Sequence, residues 1–180
     1  MAKGMNTQPH IQTQRLSLRP PTLDDLDDLH RVWTDPDVRR YLWDDGIIPK
    51  ERTTQELHKT IDCFATHGFG LWAVCLKGHT QLIGICGLLP EDNPREAELL
   101  YALAPAYWKQ GLITEAAHAV LQYGLESLGF ERIVASADVP NVGSIRVLEK
   151  IWMCFEKQEL VDGLEDVADV RVLAGLLSGA

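Results

Sequence analysis

The sequence predicts a mixed α/β domain built around one sheet, and three observations carry that expectation. Apolar runs of strand character follow one another over Phe69 to Leu76, Gln81 to Leu89 and Ala97 to Leu103. The last of these leads straight into the longest helical pattern, Gln110 to about Leu128, with Ala117, Val120, Leu121, Gly124 and Leu128 on one side. A short strand, Arg132 to Ala137, and a short helix, Asn141 to Lys150, come next, so strands and helices alternate along the chain.

The remaining elements fit around that centre. Residues 1–13 read as a flexible tail, and 14–180 as a single domain. Leu16 and Leu18 alternate with Arg15, Ser17 and Arg19, a short strand ended by Pro20 and Pro21. Thr22, with Asp25 three residues on, opens a helix that reaches Thr34. Asp35-Pro36-Asp37 breaks it, and a short turn carries Val38 and Leu42. Thr53 or Thr54 caps a further helix with Leu57, Ile61 and Phe64 inward, stopping near His67-Gly68. Lys77 to Thr80 reads as a hairpin turn. Gly129 stops the long helix, and Phe155 to Val161 and Val167 to Leu173 read as the final strands, whose apolar residues offer a homodimer surface.

A chain of 180 residues, 46% hydrophobic, is of ordinary globular size and composition for one domain. Its net charge of -9 argues against a nucleic-acid partner, because neutralising phosphates needs an excess of Lys and Arg. The acidity suits either solubility or a cationic partner. Cys63, Cys75, Cys86 and Cys154 have no metal-ligand spacing and read as reduced thiols of a cytoplasmic protein, with no metal expected. The polar N-terminus lacks the apolar core of a signal peptide, and no apolar run is long enough for a membrane span. Neither a Ser-His-Asp arrangement nor a Walker-type loop is present, so hydrolase and NTPase readings lack support.

The chemistry concentrates between Glu98 and Lys150. Tyr101-Ala102-Leu103 ends a strand, and Tyr107-Trp108-Lys109-Gln110-Gly111-Leu112-Ile113-Thr114-Glu115-Ala116 turns into a helix. A glycine there lets backbone N–H groups approach a ligand, and the first helical turn favours phosphate. One glycine at a helix start is equally an ordinary turn. The wider pattern is more specific. Tyr107-Trp108, Gly111, Thr114-Glu115-Ala116, Leu128-Gly129-Phe130 and Asn141-x-x-Ser144-x-x-Val147-Leu148-Glu149-Lys150 resemble the GNAT acyltransferases, in particular the branch that acetylates the N-termini (alanine or serine) of ribosomal proteins. Thr13-x-Arg15-Leu16 and Asp35-Pro36-x-Val38 fit the same resemblance upstream.

That resemblance implies the GNAT fold: a twisted mixed sheet of six to seven strands, about four flanking helices, and splayed fourth and fifth strands. It implies acetyl-CoA as co-substrate and a primary amine as acceptor. The pantetheine arm would pair with Tyr101, Ala102 and Leu103, the Leu103 N–H facing the developing oxyanion. The diphosphate would rest on Gln110, Gly111, Leu112, Ile113 and Thr114, and Asn141 would bond the pantetheine amide. Ser144 is the candidate general acid or water relay, or else a hydroxyl bonded within its own helix. Leu148 stands where many relatives carry a tyrosine acid. Glu98 would hold a water near the amine, or else face solvent or an arginine. His118 reads as a surface or packing residue.

Three positions depart from the pattern. Trp108 replaces the usual Arg or Gln, Ile113 replaces Gly or Ala beside the diphosphate, and Trp152 replaces a glycine after the last helix. A left-handed Trp would cost roughly 1–2 kcal/mol, so a different helix ending is expected. For the acceptor, the segment from Asp24 to Asp45 is rich in aspartate, and Trp33, Tyr41, Trp43 and Asp44 form a candidate acidic, aromatic wall for a cationic amine. The same aspartates also serve as helix-start and turn residues, and the same aromatics as core. The leading expectation is acetyl transfer to a peptide N-terminus or small amine. The alternatives are a degenerate domain that binds acyl-CoA or a protein partner without turnover, and an aminoglycoside-type N-acetyltransferase.

Overall fold

The computed structural model describes residues 9–162 and 167–176. Eight strands form one sheet: β1 (Ile11–Gln12), β2 (Leu16–Arg19), β3 (Leu71–Leu76), β4 (Leu82–Pro90), β5 (Glu96–Leu103), β6 (Arg132–Asp138), β7 (Cys154–Asp162) and β8 (Val167–Leu176). Their order across the sheet is β1-β2-β3-β4-β5-β6-β8-β7. Five α-helices flank it: α1 (Leu26–Thr34), α2 (Pro36–Leu42), α3 (Lys50–His67), α4 (Leu112–Gln122) and α5 (Val142–Lys150). The sheet therefore has one strand more than expected. Within the expected tail, Ile11 and Gln12 already pair with Leu18 and Ser17, and Trp72 Nε1 donates to the Pro9 carbonyl at 2.7 Å.

The extra helix has a local cause. Asp35 ends α1 and at once caps α2, its side chain accepting from the Asp37 N–H at 3.0 Å, with Pro36 in the first turn. One Asp-Pro-Asp unit thus stops one helix and starts the next. Upstream, the buried Asp25 accepts the Thr22 N–H at 2.7 Å and two bonds from the Arg19 guanidinium, at 2.8 and 2.6 Å. α3 starts earlier than expected, after an extended Pro49. Thr53 is buried inside the helix, and Thr54 bonds the Lys50 carbonyl at 2.9 Å. The long helical pattern is α4 followed by a π-turn over Tyr123–Ser127. Gly124 within it lies against Ile133 and Leu88, where a Cβ would sit 2.6 and 2.7 Å from their Cδ1 atoms.

Two apolar layers cover the sheet. α4, α5 and the inward side of β5 and β6 enclose the larger, with Leu99, Leu103, Ala116, Val120, Ile133 and Leu148. α1, α2 and α3 close the smaller, with Leu29, Val32, Trp33, Leu57 and Ala102. Successive β5 residues alternate between them, as side chains on a strand must.

The end of α5 contradicts the sequence expectation. Trp152 is left-handed, φ 62°. Its N–H bonds the Glu149 carbonyl and that of Met153 the Leu148 carbonyl, both at 3.1 Å, while Leu148 and Met153 are buried together in the larger core. This is a Schellman ending with tryptophan in the position glycine favours. The closing contact overrides the residue's own preference. Trp152→Gly should therefore stabilise the fold by about 1 kcal/mol, read as a higher urea midpoint at unchanged m-value. A midpoint that falls would mean the exposed ring holds the turn.

Candidate active site

β5 and β6 run parallel but pair for only three residues: Glu96 with Arg132, Ala97 with Ile133 and Glu98 with Val134. Beyond Glu98 each keeps its outer partner, β4 as far as Leu103 and β8 as far as Asp138, while the inner edges separate. Arg132 pins the paired end, bridging Glu96 and Glu156. The sheet opens into a V whose vertex is Glu98.

The hydrogen-bond phase of β5 decides what faces the opening. The Ala104 N–H donates to Ile83 across the Gly84–Leu103 pair, at 2.9 Å. Residues 102 and 104 thus direct their main-chain groups at β4, and Tyr101 and Leu103 direct theirs into the V. Trp108 Nε1 takes the Leu103 carbonyl at 2.6 Å, which leaves the Leu103 N–H as the group offered to a ligand.

A cavity of about 750 Å³ fills the V and reaches both faces of the sheet, lined by Tyr41, Glu98, Tyr101, Ile113, Asn141 and Ser144 among others. Glu98 shares the face of Leu100 and Ala102, toward α1–α3. Burial, then the charge of Glu91, push its carboxyl above the ordinary glutamate range. Among the described residues no arginine forms an ion pair with it, unlike Glu96. Tyr101 points to the other face, where its hydroxyl lies 2.8 Å from Ser144 Oγ and donates to the Ser144 carbonyl at 3.1 Å. Burial raises the Tyr101 phenol, and the Ser144 contact lowers it by less.

The turn into α4 closes one end. Lys109 and Gly111 are both left-handed, φ 61° and 74°. This turns the chain so that the first-turn N–H groups of α4, with no helical partner of their own, stand at the cavity. Leu112, Ile113 and Thr114 line it, and the Ile113 side chain packs against the larger core. Gln110 is not in the lining. Its carbonyl accepts from Arg15 at 2.9 Å, and its amide bonds Ala106. Arg15 also pairs with Glu115 at 2.7 Å, and Glu115 accepts from the Thr13 hydroxyl and the Arg15 N–H. Burial raises the Glu115 carboxyl, but these bonds outweigh it and hold it below the ordinary range. Arg15 was visible only as part of a motif. Its place beside the Gly111 turn comes from the β1–β2 turn folding onto α4. Asn141 caps α5, accepting the Ser144 N–H at 3.1 Å, so its amide N–H groups are what it offers a ligand.

The acceptor residues divide. Tyr41 lines the cavity, with its hydroxyl 3.5 Å from the Pro140 carbonyl. Trp33 and Trp43 do not. They meet edge-to-face, ring centres 5.4 Å apart, in and against the smaller core, where indole burial gains more than a wet wall would. Asp44 is left-handed, φ 50°, and also stands outside the lining; its charge, after burial, raises the Asp138 carboxyl at the cavity edge. Of the aspartate-rich segment Asp24 to Asp45, Asp37 lines the cavity, and Asp138, to which no sequence pattern assigned a role, lines it too. Among the described residues no cluster of metal-ligating side chains occurs, and no helix is long and apolar enough to cross a membrane.

Comparison with known proteins fits this geometry. The model of the acetyltransferase (GNAT) domain family matches residues 15–153. The chain belongs to the GNAT family. An uncharacterized N-acetyltransferase, p20 of Bacillus licheniformis, is 31% identical over 86% of each chain. A GNAT-family acetyltransferase of Bacillus anthracis superposes with a TM-score of 0.83 at 26% identity, over 93% of this chain and 98% of that one. RimL, a ribosomal L7/L12 α-N-protein acetyltransferase in complex with coenzyme A, superposes at 0.81 over 94% and 98%, and at 18% identity shares the fold. The open V between β5 and β6 is thus a GNAT sheet, with the short β1 shifting the splayed pair to the fifth and sixth places.

Proposed function

We propose that this protein is an acetyl-CoA-dependent N-acetyltransferase that moves the acetyl group to a primary amine, a peptide N-terminus or a small amine, by direct attack on the thioester. The observation that carries the reading is the V itself. It leaves the main-chain groups of Tyr101 and Leu103 unpaired by β6 and directs them into a cavity ending at the Gly111 turn. An extended amide-bearing arm can pair there as a strand would, with its diphosphate on the N–H groups of Leu112, Ile113 and Thr114.

The two faces of the V then have different tasks. Glu98, on the α1–α3 face, accepts the proton of the attacking amine through a water, and Asp37 and Asp138 draw a cationic acceptor to that side. As the C–N bond forms, the Leu103 N–H stabilises the carbonyl oxygen. As the C–S bond breaks, Ser144 on the opposite face hydrogen-bonds the sulfur, and the proton that completes the thiol arrives from water through that hydroxyl. Tyr101 holds Ser144 in place. Its raised phenol suits a fixed hydrogen-bond donor better than a proton source.

The departures at Ile113 and Trp152 are what a degenerate, non-catalytic domain would draw on. Ile113 lines the V half-buried with its side chain packed against the larger core, and Trp152 lies outside that lining. Titration with acetyl-CoA should give saturable micromolar binding, and thiol release should then depend on an added amine. A panel of N-terminal peptides, polyamines and aminoglycosides separates the acceptor classes. Absence of binding at millimolar acetyl-CoA would sink the proposal.

A further inference from the structure

We propose that Arg40, on α2, binds the carboxylate of an acceptor that carries both an amine and a carboxylate, as an α-amino acid does, while Asp37 and Asp138 hold its ammonium. This rests on the acetyl-transfer reading above and narrows the acceptor class of that same site. The starting point is a pair of opposite charges that the fold keeps apart. Asp37 and Arg40 stand three residues apart on α2, a spacing at which an acid and an arginine ordinarily meet. Elsewhere in this chain the same spacing closes: Asp28 bonds Arg31 at 2.5 Å, and Glu56 bonds Lys59 at 2.9 Å. Among the described residues neither Asp37 nor Arg40 has an ion-pair partner, and the neighbouring Arg39 takes the loop acid Asp45 at 3.2 Å.

Arg40 is held elsewhere. Its guanidinium lies over the Tyr41 ring, 5.4 Å from the centre, and the Tyr41 hydroxyl reaches the Pro140 carbonyl at 3.5 Å, so the ring that carries the cation spans to the loop before α5. Asp37, Arg40 and Tyr41 all line the V, with α2 packed over the face that holds Glu98. Asp138 belongs to that face too, because Ala135 and Ala137 of β6 point into the larger core and the residues between them do not. The other cations of the lining, Lys109, Arg146 and Lys150, come from the turn before α4 and from α5. Among the described residues Arg40 is thus the one cation on a wall with three carboxylates, Asp37, Asp138 and Glu98. A polycation gains nothing from it, whereas a zwitterion uses both signs. The planar guanidinium suits a carboxylate, which it takes through two parallel N–H bonds.

The test measures kcat/KM on the full chain at saturating acetyl-CoA for a panel of α-amino acids, the matching amino-acid amides and diamines. The wild type should prefer an acid over its amide by about 10- to 100-fold, the scale of a charge-assisted, bidentate pair. Arg40→Gln should bring that ratio close to one by raising KM for the acid, with acetyl-CoA affinity unchanged. Arg40→Lys, which keeps the charge and loses the fork, should restore part of the ratio. The ratio is internal to each variant, so partial misfolding cannot imitate the result. Peptides with aspartate or asparagine in second place form a further series. An Arg40-dependent preference for the aspartate peptides, and not for free amino acids, would support the carboxylate pocket and assign its carboxylate to a peptide side chain. A wild type that favours amides or diamines, or an Arg40→Gln variant that slows acids and amides alike, overturns the pocket and leaves the transferase reading standing. Turnover of no amine by the wild type overturns both.

Discussion

Glu98→Gln should lower kcat/KM for acetyl transfer by about a hundredfold and leave acetyl-CoA affinity nearly unchanged, the scale expected when a general base is removed but the donor site is kept. Glu98 sits at the vertex of the V, on the face opposite Ser144, so its loss touches the acceptor amine and not the donor cradle. The pH dependence separates this role from a structural one. Burial and Glu91 hold the carboxyl above its ordinary value, so the acidic limb of kcat/KM should lie above the ordinary glutamate range, and Glu98→Gln should flatten it.

Stability should move the other way. A carboxyl whose folded pKa is raised binds its proton more readily folded than unfolded. Its contribution is present below the unfolded value and is lost as pH rises through the raised one. Above that raised value the ionised, buried Glu98 opposes folding, so there the glutamine variant should unfold at an equal or higher urea concentration. A variant that is both inactive and much less stable would make Glu98 a structural residue.

The parts of this design that were legible in the sequence are those set by local rules. Strand alternation, the Lys77–Thr80 hairpin, the glycine at the turn into α4 and the short helix from Asn141 each depend on neighbours a few residues away. What was not legible depends on distant residues meeting. Tyr101 was read for its backbone alone, because its side-chain partner lies 43 residues on, across a gap that exists only when β6 departs from β5. Arg15 and Glu115 are 100 residues apart, and each looked like a motif letter until the β1–β2 turn folded onto α4. Trp33 and Trp43 show the same limit from the other side, since an aromatic in a short helix fits a core or a binding wall equally well. At Trp152 the local preference was read correctly and overruled. The Leu148–Met153 closure selects a left-handed residue whatever its side chain.

Ser144→Ala should reduce kcat roughly 10- to 100-fold with little change in acetyl-CoA affinity, below the upper range for acid–base groups, because a thiol of ordinary pKa near 8.5 is already a fair leaving group. Tyr101→Phe should cost about tenfold, since it frees the Ser144 hydroxyl to turn and leaves the Ser144 carbonyl without its donor. The combination decides between two accounts of the pair. If Tyr101 acts through Ser144, its removal does nothing further once Ser144 is alanine, and the double variant should be no slower than Ser144→Ala alone. If Tyr101 reached the sulfur by itself, the two losses would multiply. Raising the donor's leaving-group pKa supplies an independent axis: a poorer leaving thiol needs the hydrogen bond more, so the Ser144→Ala deficit should widen with it. A deficit constant across donors would place Ser144 in the architecture of α5 and remove it from the departure of the thiol.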